Sequence, residues 1–245
     1  MVGALVVLTF LLADGRLGTY LPTATLAAIV IAAALTLFDV GTLHWLWRVH
    51  RSDFFLAVAA LLGVAVIGVL EGIAVAIALS LGEFVRRAWR PYDAVLGRIV
   101  GRKGYHDVDR HPEAVQIPGV VLYRFDAPLF FANVEVFVDR LLAAIRARDD
   151  TVKWVIVAAE PMTDIDSTAA EVLGEAITDL RVQGIELAFA ELKGPVKDRL
   201  RTYGLYDRIG DARFFPTLGT AVDGYLEATG TQWVDWSDRD DAAQA

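Results

Sequence analysis

The chain has 245 residues, enough for one large domain or two modest ones, and 55% of them are hydrophobic, a high share for a soluble protein. Its net charge of −8 argues against nucleic acid as a partner, because phosphates favour a basic face. The absence of cysteine excludes disulfides and thiolate metal sites, and the four histidines lack the i,i+4 spacing of a zinc-binding helix. We therefore expect neither a metal nor a cofactor.

The charge is unevenly distributed along the chain. Residues 1–90 carry six Lys and Arg against five Asp and Glu, a net of +1, whereas residues 91–245 carry 17 against 26, a net of −9. An almost uncharged first part is thus joined to an acidic second part. This contrast indicates that two physical classes of structure share one chain.

The first part opens with two apolar segments. Residues 1–13 lack the positive start and the cleavage site of a signal peptide, so we expect a helix whose first half is missing. Residues 17–38 carry no charge over 22 residues, which is long enough for one membrane span. A core helix of a soluble domain would show a polar face, and none is present here.

The next apolar segment is too long for a single span. Residues 54–82 contain one charge, Glu71, and as one helix they would extend roughly 44 Å, beyond the hydrocarbon thickness of about 30 Å. We therefore predict two helices of roughly fourteen residues, joined near residues 68–72. Glu71 is either a functional acid within the membrane or a turn residue near its surface.

Basic residues set the expected topology of this first part. Each end of the pair of short helices carries a basic cluster with tryptophans beside it: Arg48, His50 and Arg51 with Trp45 and Trp47, then Arg86, Arg87 and Arg90 with Trp89. Basic loops face the cytoplasm and tryptophans favour the membrane surface. Everything after Arg90 is therefore predicted to be cytoplasmic.

Strands and helices alternate in the second part. After a polar connector with an apolar patch at residues 94–100, we predict strands at 120–125, 129–131, 153–159, 185–190 and 214–215, and helices at 134–145, 169–180, from about 195, and at 218–226. Asn133 is the expected N-cap of the first helix. Such alternation predicts an α/β domain with a mixed, largely parallel sheet.

Residues 160–171, EPMTDIDSTAAE, combine acids and hydroxyls between a predicted buried strand and a predicted helix. Asp166, Ser167 and Thr168 are all good N-cap residues, and Thr168 with Glu171 fits a capping box. A catalytic serine is disfavoured because no histidine is near in sequence and the Gly-x-Ser-x-Gly spacing is absent. We predict no catalytic residue, and the chain is not expected to be an enzyme.

Five stretches, in this order, resemble the C-terminal part of SulP-type (sulfate permease) anion transporters: LPTATLAAIVI, LWRVHRSDF around a loop, LEGIAVAIALSL, RFDAPLFFANVEVF and TDIDSTAAE. The resemblance implies about four hydrophobic membrane helices, the first truncated, followed by an α/β STAS domain. The implied domains are partial transmembrane helices at 1–90, a connector at 91–118 and the STAS domain at 119–229. An acidic tail follows at 230–245, and its composition favours disorder.

The resemblance also implies a function. The chain would be the C-terminal portion of a secondary anion transporter, sulfate-like, in the inner membrane, with a cytoplasmic STAS domain for regulation and assembly. Family members bind the anion between half-helices that this chain lacks, so its substrate-binding residues are unknown. The implied partners are membrane lipid, an inorganic anion, and a second copy or a missing transporter portion. The alternative is a membrane-anchored STAS binding module that does not itself transport.

One further implication concerns phosphorylation. Soluble anti-sigma-factor antagonists with the STAS fold are phosphorylated within an Asp-Ser-Ser/Thr-Gly pattern, and Thr168 takes the acceptor place, with Ser167 before it. A helix N-terminus favours a phosphate, whereas the neighbouring Asp164, Asp166 and Glu171 repel it. Ala169 also replaces the glycine of that pattern. A phosphoacceptor and a plain helix cap both remain open.

Overall fold

A computed structural model of the chain describes residues 23–37 and 39–233. The chain divides into two compact units, Met1–Leu81 and Gly82–Ala245. The helix predicted for residues 1–13 and most of the predicted acidic tail lie outside the described residues.

The first unit is helical. Its described helices are α1 (Thr23–Leu37), α2 (Val40–Val49), α3 (Arg51–Val66) and the first part of α4 (Val69–Trp89), which continues into the second unit. Over residues 23–37 and 39–233, no helix combines the length and the apolarity that crossing a membrane requires. The expected number of membrane helices therefore remains a prediction.

Helix α2 corrects the expectation of a loop in this region. Asp39 caps it, because the Asp39 carboxylate accepts a hydrogen bond from the Thr42 backbone N–H at 3.0 Å. The Trp47 ring meets the Phe54 ring edge to face, with centroids 5.0 Å apart. The cap and this aromatic contact order a segment whose tryptophans and arginines had suggested only a membrane-surface loop.

Two helices are present as predicted, α3 and α4, but they are joined at residues 67–68 rather than across residues 68–72. Gly68 adopts a φ of +133°, which L side chains rarely reach, so the chain turns there at little cost. The two helices approach closely beyond the turn, since a Cβ placed on Gly72 would lie 2.4 Å from the Val64 nitrogen. They have 16 and 21 residues rather than about fourteen, and Glu71 lies exposed in the first turn of α4.

The second unit is built on one six-stranded sheet. Its strands are β1 (Asp93–Arg98), β2 (Tyr105–Asp107), β3 (Val120–Phe125), β4 (Trp154–Ala158), β5 (Glu186–Ala190) and β6 (Phe214–Phe215). The order across the sheet is β2-β1-β3-β4-β5-β6. Strands β3 to β6 are parallel, whereas β1 pairs antiparallel with both β2 and β3. The predicted mixed, largely parallel sheet is confirmed.

Two local predictions in this unit are wrong. Part of the segment expected as a connector, 91–118, forms β1 and β2, because the apolar patch at 94–100 packs into the sheet while polar residues surround it. The strand expected at residues 129–131 is reduced to a single parallel bridge between Leu129 and Ile165.

Helices cover both faces of the sheet. They are α5 (Val134–Arg146), α6 (Ser167–Val182), α7 (Gly194–Thr202), α8 (Leu205–Ile209) and α9 (Leu218–Thr229). Helices α5 to α8 bury their apolar side chains against one face, and α9 buries its own against the other. The continuous apolar run of β4 is buried throughout, as expected for a central strand between two helical layers.

Candidate regulatory site at the head of helix α6

Helix α6 begins directly after Asp166, whose carboxylate makes two hydrogen bonds. Asp166 is extended, with φ −91° and ψ 172°, and its Oδ1 accepts from the Ala169 N–H at 2.7 Å. Its Oδ2 accepts from the Phe131 N–H at 2.9 Å. One side chain therefore caps the helix and fastens it to the turn at residues 129–131.

The two hydroxyls of the motif occupy the first two positions of α6. Ser167 and Thr168 are exposed, whereas Ala169 and the residue after it are buried. Because Asp166 is the cap, Glu171 is the fifth helical residue and lies beyond the position that a capping box requires. The predicted box between Thr168 and Glu171 is therefore wrong, since the bridge to Leu129 keeps Asp166 extended and starts the helix earlier.

Two other acids of the motif are paired with cations from the region of α7. Asp164 forms an ion pair with Arg199, which also donates to the Ile165 carbonyl at 3.2 Å. Glu160 lies 3.3 Å from the Lys193 ammonium. Both pairs are exposed and add little stability, but they offset negative charge close to the two hydroxyls.

A groove of about 620 Å³ runs along α6 towards α8. Four residues of α6 line it at four-residue spacing, which places them on one side of the helix: Ser167, Glu171, Glu175 and Asp179. Arg208 reaches in from α8 and donates to the Gly174 carbonyl at 2.7 Å. Ser167 thus lies at the rim of an acidic groove, whereas Thr168 is not among the residues that line it.

Asn133, at the start of α5, attaches the end of α4 to the turn before α5. Its amide nitrogen donates to the Ala88 carbonyl at 3.4 Å and to the Pro128 carbonyl at 2.9 Å. Its amide oxygen accepts from the Phe130 N–H at 3.0 Å. Asn133 occupies the expected N-cap position of α5, yet its buried side chain joins two segments instead of capping the helix.

A second attachment follows immediately along the chain. Arg140 of α5 donates to the Pro91 carbonyl at 3.2 Å and pairs with Asp93. The Tyr123 hydroxyl donates to the same carboxylate at 2.9 Å. Burial, and then the charge of Asp93, raise the pKa of Tyr123, so this phenol stays a neutral donor at physiological pH. The residues that follow α4 are therefore held to β3 and α5.

Sequence reasoning found the residues of the α6 head but missed their long-range partners. The contact between Phe131 and Asp166 spans 35 positions, and that between Ala88 and Asn133 spans 45. The sequence signal for such a partner was the residue type of Asn133, which lies between apolar residues. A buried asparagine is normally hydrogen-bonded, so its presence there indicates a bonding partner.

Comparison with protein families matches two descriptions. Residues 111–221 match the STAS domain, and residues 1–60 match the sulfate permease family. Among curated relatives, a probable sulfate transporter of Mycobacterium tuberculosis, Rv1739c, is 40% identical over 221 residues, which cover 90% of this chain and 39% of the relative. High affinity sulfate transporter 2 of Stylosanthes hamata is 31% identical over 233 residues, covering 92% of this chain and 35% of the relative. The chain thus spans well under half the length of these relatives.

Solved structures show the same fold. The murine Slc26a9 anion transporter in its inward-facing state superposes with a TM-score of 0.73 at 20% identity, over 85% of this chain and 34% of that chain. A second structure of SLC26A9 gives 0.67 at 18% identity, over 78% of this chain and 34% of that chain. The relatives are named as transporters, which agrees with the expectation that the chain is not an enzyme. The two matches therefore identify the chain as similar to the sulfate permease (SulP) family over its first 60 residues and to the STAS domain over residues 111–221, and the relatives named above are sulfate transporters.

Proposed function

We propose that this chain forms the C-terminal portion of a secondary anion transporter, with a STAS domain that serves regulation and assembly. One observation carries the proposal: a single chain matches both the sulfate permease family and the STAS domain, and 90% of it aligns with a sulfate transporter at 40% identity. Sulfate or a similar inorganic anion is the substrate class that this relative supports.

The proposed arrangement places about four hydrophobic helices within residues 1–90 in the inner membrane. It places the STAS domain, residues 119–229, in the cytoplasm. Support comes from the exposed apolar side chains of α3 and α4 and from the arginines in the last turn of α4 and directly after it. Water does not favour such a surface, whereas lipid or further helices of a transporter would cover it.

The anion-binding residues are proposed to lie outside this chain. Family members hold the anion between half-helices of other segments, and this chain spans 39% of its M. tuberculosis relative. A second copy of the protein, or a further transporter portion, is therefore part of the proposal. The STAS domain would contribute to its assembly.

Uptake of radiolabelled sulfate tests the proposal. The protein encoded by the whole reading frame is produced in bacterial cells that lack sulfate uptake of their own, and unlabelled bicarbonate and dicarboxylates serve as competitors. We expect saturable uptake that at least one of these anions inhibits. Membrane-inserted protein that takes up no anion would contradict the proposal, and a membrane partner that copurifies with such protein would instead favour a STAS binding module.

We further propose that the head of α6 is a regulatory position, with Thr168 as the phosphoacceptor and Ser167 as a second acceptor. Both hydroxyls are exposed, and both lie in the first turn of a helix, where a phosphate meets a favourable dipole. Arg199 offsets the charge of Asp164 nearby.

Phosphopeptide mapping distinguishes the two hydroxyls. The Thr168→Ala variant is expected to lose the phosphate at position 168 and to keep only the one at Ser167, while the Ser167→Ala variant retains the phosphate at Thr168. If both residues are unmodified in cells that take up the anion, the motif is a helix cap without a switch.

A further inference from the structure

An open apolar groove of about 760 Å³ lies within the second unit, between the end of α4 and the turn before α5. We call it the aromatic groove, and its walls are formed chiefly by Phe84, Trp89, Pro91, Pro128, Phe130 and Phe131. It is separate from the groove along α6. The function proposed above does not use it.

The aromatic side chains of this groove are unusually exposed for the unit in which they lie. Phe131 is 70% exposed, Phe84 is 68% exposed and Trp89 is 51% exposed. Phe125 of β3 and Phe137 of α5, by contrast, are fully buried. Clustered exposed aromatic side chains mark a surface that another molecule or a membrane covers.

Both walls of the groove are held in place by the hydrogen bonds already described. Phe131 is fixed by its N–H bond to Asp166, and Phe130 by its N–H bond to Asn133. Asn133 also bonds to the Ala88 carbonyl in the opposite wall. The groove is therefore a prearranged surface rather than a gap between loosely connected segments.

The charges around the aromatic groove favour a membrane as its cover. Arg86, Arg87 and Arg90 follow one side of it, and all three are exposed. Arginine and tryptophan together at a helix end are typical of the layer where lipid headgroups meet the hydrocarbon.

Three acids lie near these arginines. Glu83 is bonded by both Arg86 and Arg87, at 2.7 and 2.8 Å. Asp126 lies 3.0 Å from the Arg124 guanidinium. Glu135, at the start of α5, is exposed and marks the side of the groove that would face water. Cationic partners thus offset the charges of Glu83 and Asp126, and Arg90 is the arginine that we expect to meet lipid phosphates.

We propose that the aromatic groove lies in the headgroup layer of the membrane, with Phe131 and Trp89 inserted beside the acyl chains. The proposal rests on the membrane location proposed above for α4. It gives the STAS domain a lipid contact of its own, in addition to its covalent connection to α4. Asp166 holds Phe131 and also caps α6, and it directly precedes Ser167. One residue therefore links the proposed lipid contact to the hydroxyls at the head of that helix.

Lipid quenching of a fluorescent label tests this contact directly. The chain contains no cysteine, so Phe131→Cys gives a single labelling site within it for an environment-sensitive dye, and any cysteine encoded elsewhere in the reading frame is replaced by serine. The complete protein is placed in bilayers of phosphatidylcholine and phosphatidylglycerol that carry nitroxide-labelled lipids. Val182→Cys, 84% exposed at the far end of α6, is the matched control in water, and Ile77→Cys in α4 is the control in the membrane.

We expect shallow nitroxides to quench the label at position 131 several-fold more than the label at 182, and deep nitroxides to quench the label at 77. Trp89→Cys repeats the measurement on the opposite wall and should behave like position 131. If position 77 is quenched but 131 and 89 are not, the lipid contact is overturned and the membrane location of α4 stands. If position 77 is not quenched either, the proposed function itself fails. A label at 131 that is shielded from water yet unquenched means that protein covers the groove, which also overturns the proposal.

Discussion

The two units of this chain differ in the burial of their apolar side chains. Among the residues of the first unit, up to Leu81, whose burial is described, only Gly63 and Gly72 are buried, and large apolar side chains cover the surfaces of α3 and of the first part of α4. In the α/β unit the strands and helices bury almost all of their apolar side chains in two layers. The same hydrophobic effect operates in both units, so the difference indicates that the first unit is suited to an apolar surrounding and the second to water.

The same difference in burial separates two phenylalanines that lie six residues apart, one in α5 and one in the turn before it. Phe137 is fully buried against Tyr123 and Phe125, with ring centroids 5.7 and 5.3 Å away, whereas Phe131 is 70% exposed. Phe137→Ala should lower the free energy of unfolding of the α/β unit by about 4 kcal/mol, because it removes a core side chain and leaves a cavity. Phe131→Ala should leave it nearly unchanged.

Hydrogen exchange of the β3 and β4 amides measures both variants in the intact protein. The prediction fails if the two substitutions weaken protection of these strands equally. That result would mean that Phe131 belongs to the core.

The contact between α3 and α4 tests the first unit in the same way. Gly72→Leu should destabilise the helix pair by about 3 kcal/mol, because the new side chain would enter the backbone of α3 at Val64. Gly82→Leu is the matched control in the same helix, since a Cβ there meets nothing within 4 Å. Thermal unfolding in detergent should separate the two variants, and equal stability would show that the helices do not touch at Gly72.

Asp166 should have a smaller, local effect. Asp166→Ala loses the hydrogen bonds to Ala169 and Phe131 together, and we expect a loss of about 2 kcal/mol in the first turn of α6. Asp166→Asn retains an acceptor for the helix cap and should lose about half as much. Hydrogen exchange should speed up at both Ala169 and Phe131 in the alanine variant. Faster exchange at Ala169 alone would show that the turn does not depend on this carboxylate.

The smallest predicted effect depends on pH. Hydrogen bonds from Arg148 hold the pKa of Asp150 below its usual value of 3.8, and burial opposes them. Because the folded pKa is the lower one, the stabilisation is present above pH 3.8 and is lost as the pH falls through the folded pKa. Solvent screening keeps the effect below about 1 kcal/mol. Protection of the Gly119 amide, which donates to Asp150, should therefore fall in acid in the native chain but be independent of pH in Asp150→Asn. Equal acid sensitivity in both proteins would contradict this.

The sequence predicted the central elements of the fold because their signals are local. Strand β4 is an uninterrupted apolar run, β3 and β5 are largely apolar, and α5 and α6 carry apolar stripes at helical spacing. Strand β1 was missed because polar residues surround its apolar patch and Gly97 interrupts it. At the site, residue type alone identified Asp166 as a cap. Its bond to Phe131 depends on how the sheet brings two distant loops together, and no local pattern encodes that.

The proposed topology places the helices before Pro91 in a membrane and the STAS domain in the cytoplasm. A membrane-impermeant thiol reagent, applied to Ile77→Cys and Val182→Cys in intact cells and in inside-out vesicles, tests this topology. We expect position 77 to be protected in both preparations and position 182 to react only in inside-out vesicles. Reaction of position 77 in either preparation, or of position 182 in intact cells, would contradict it.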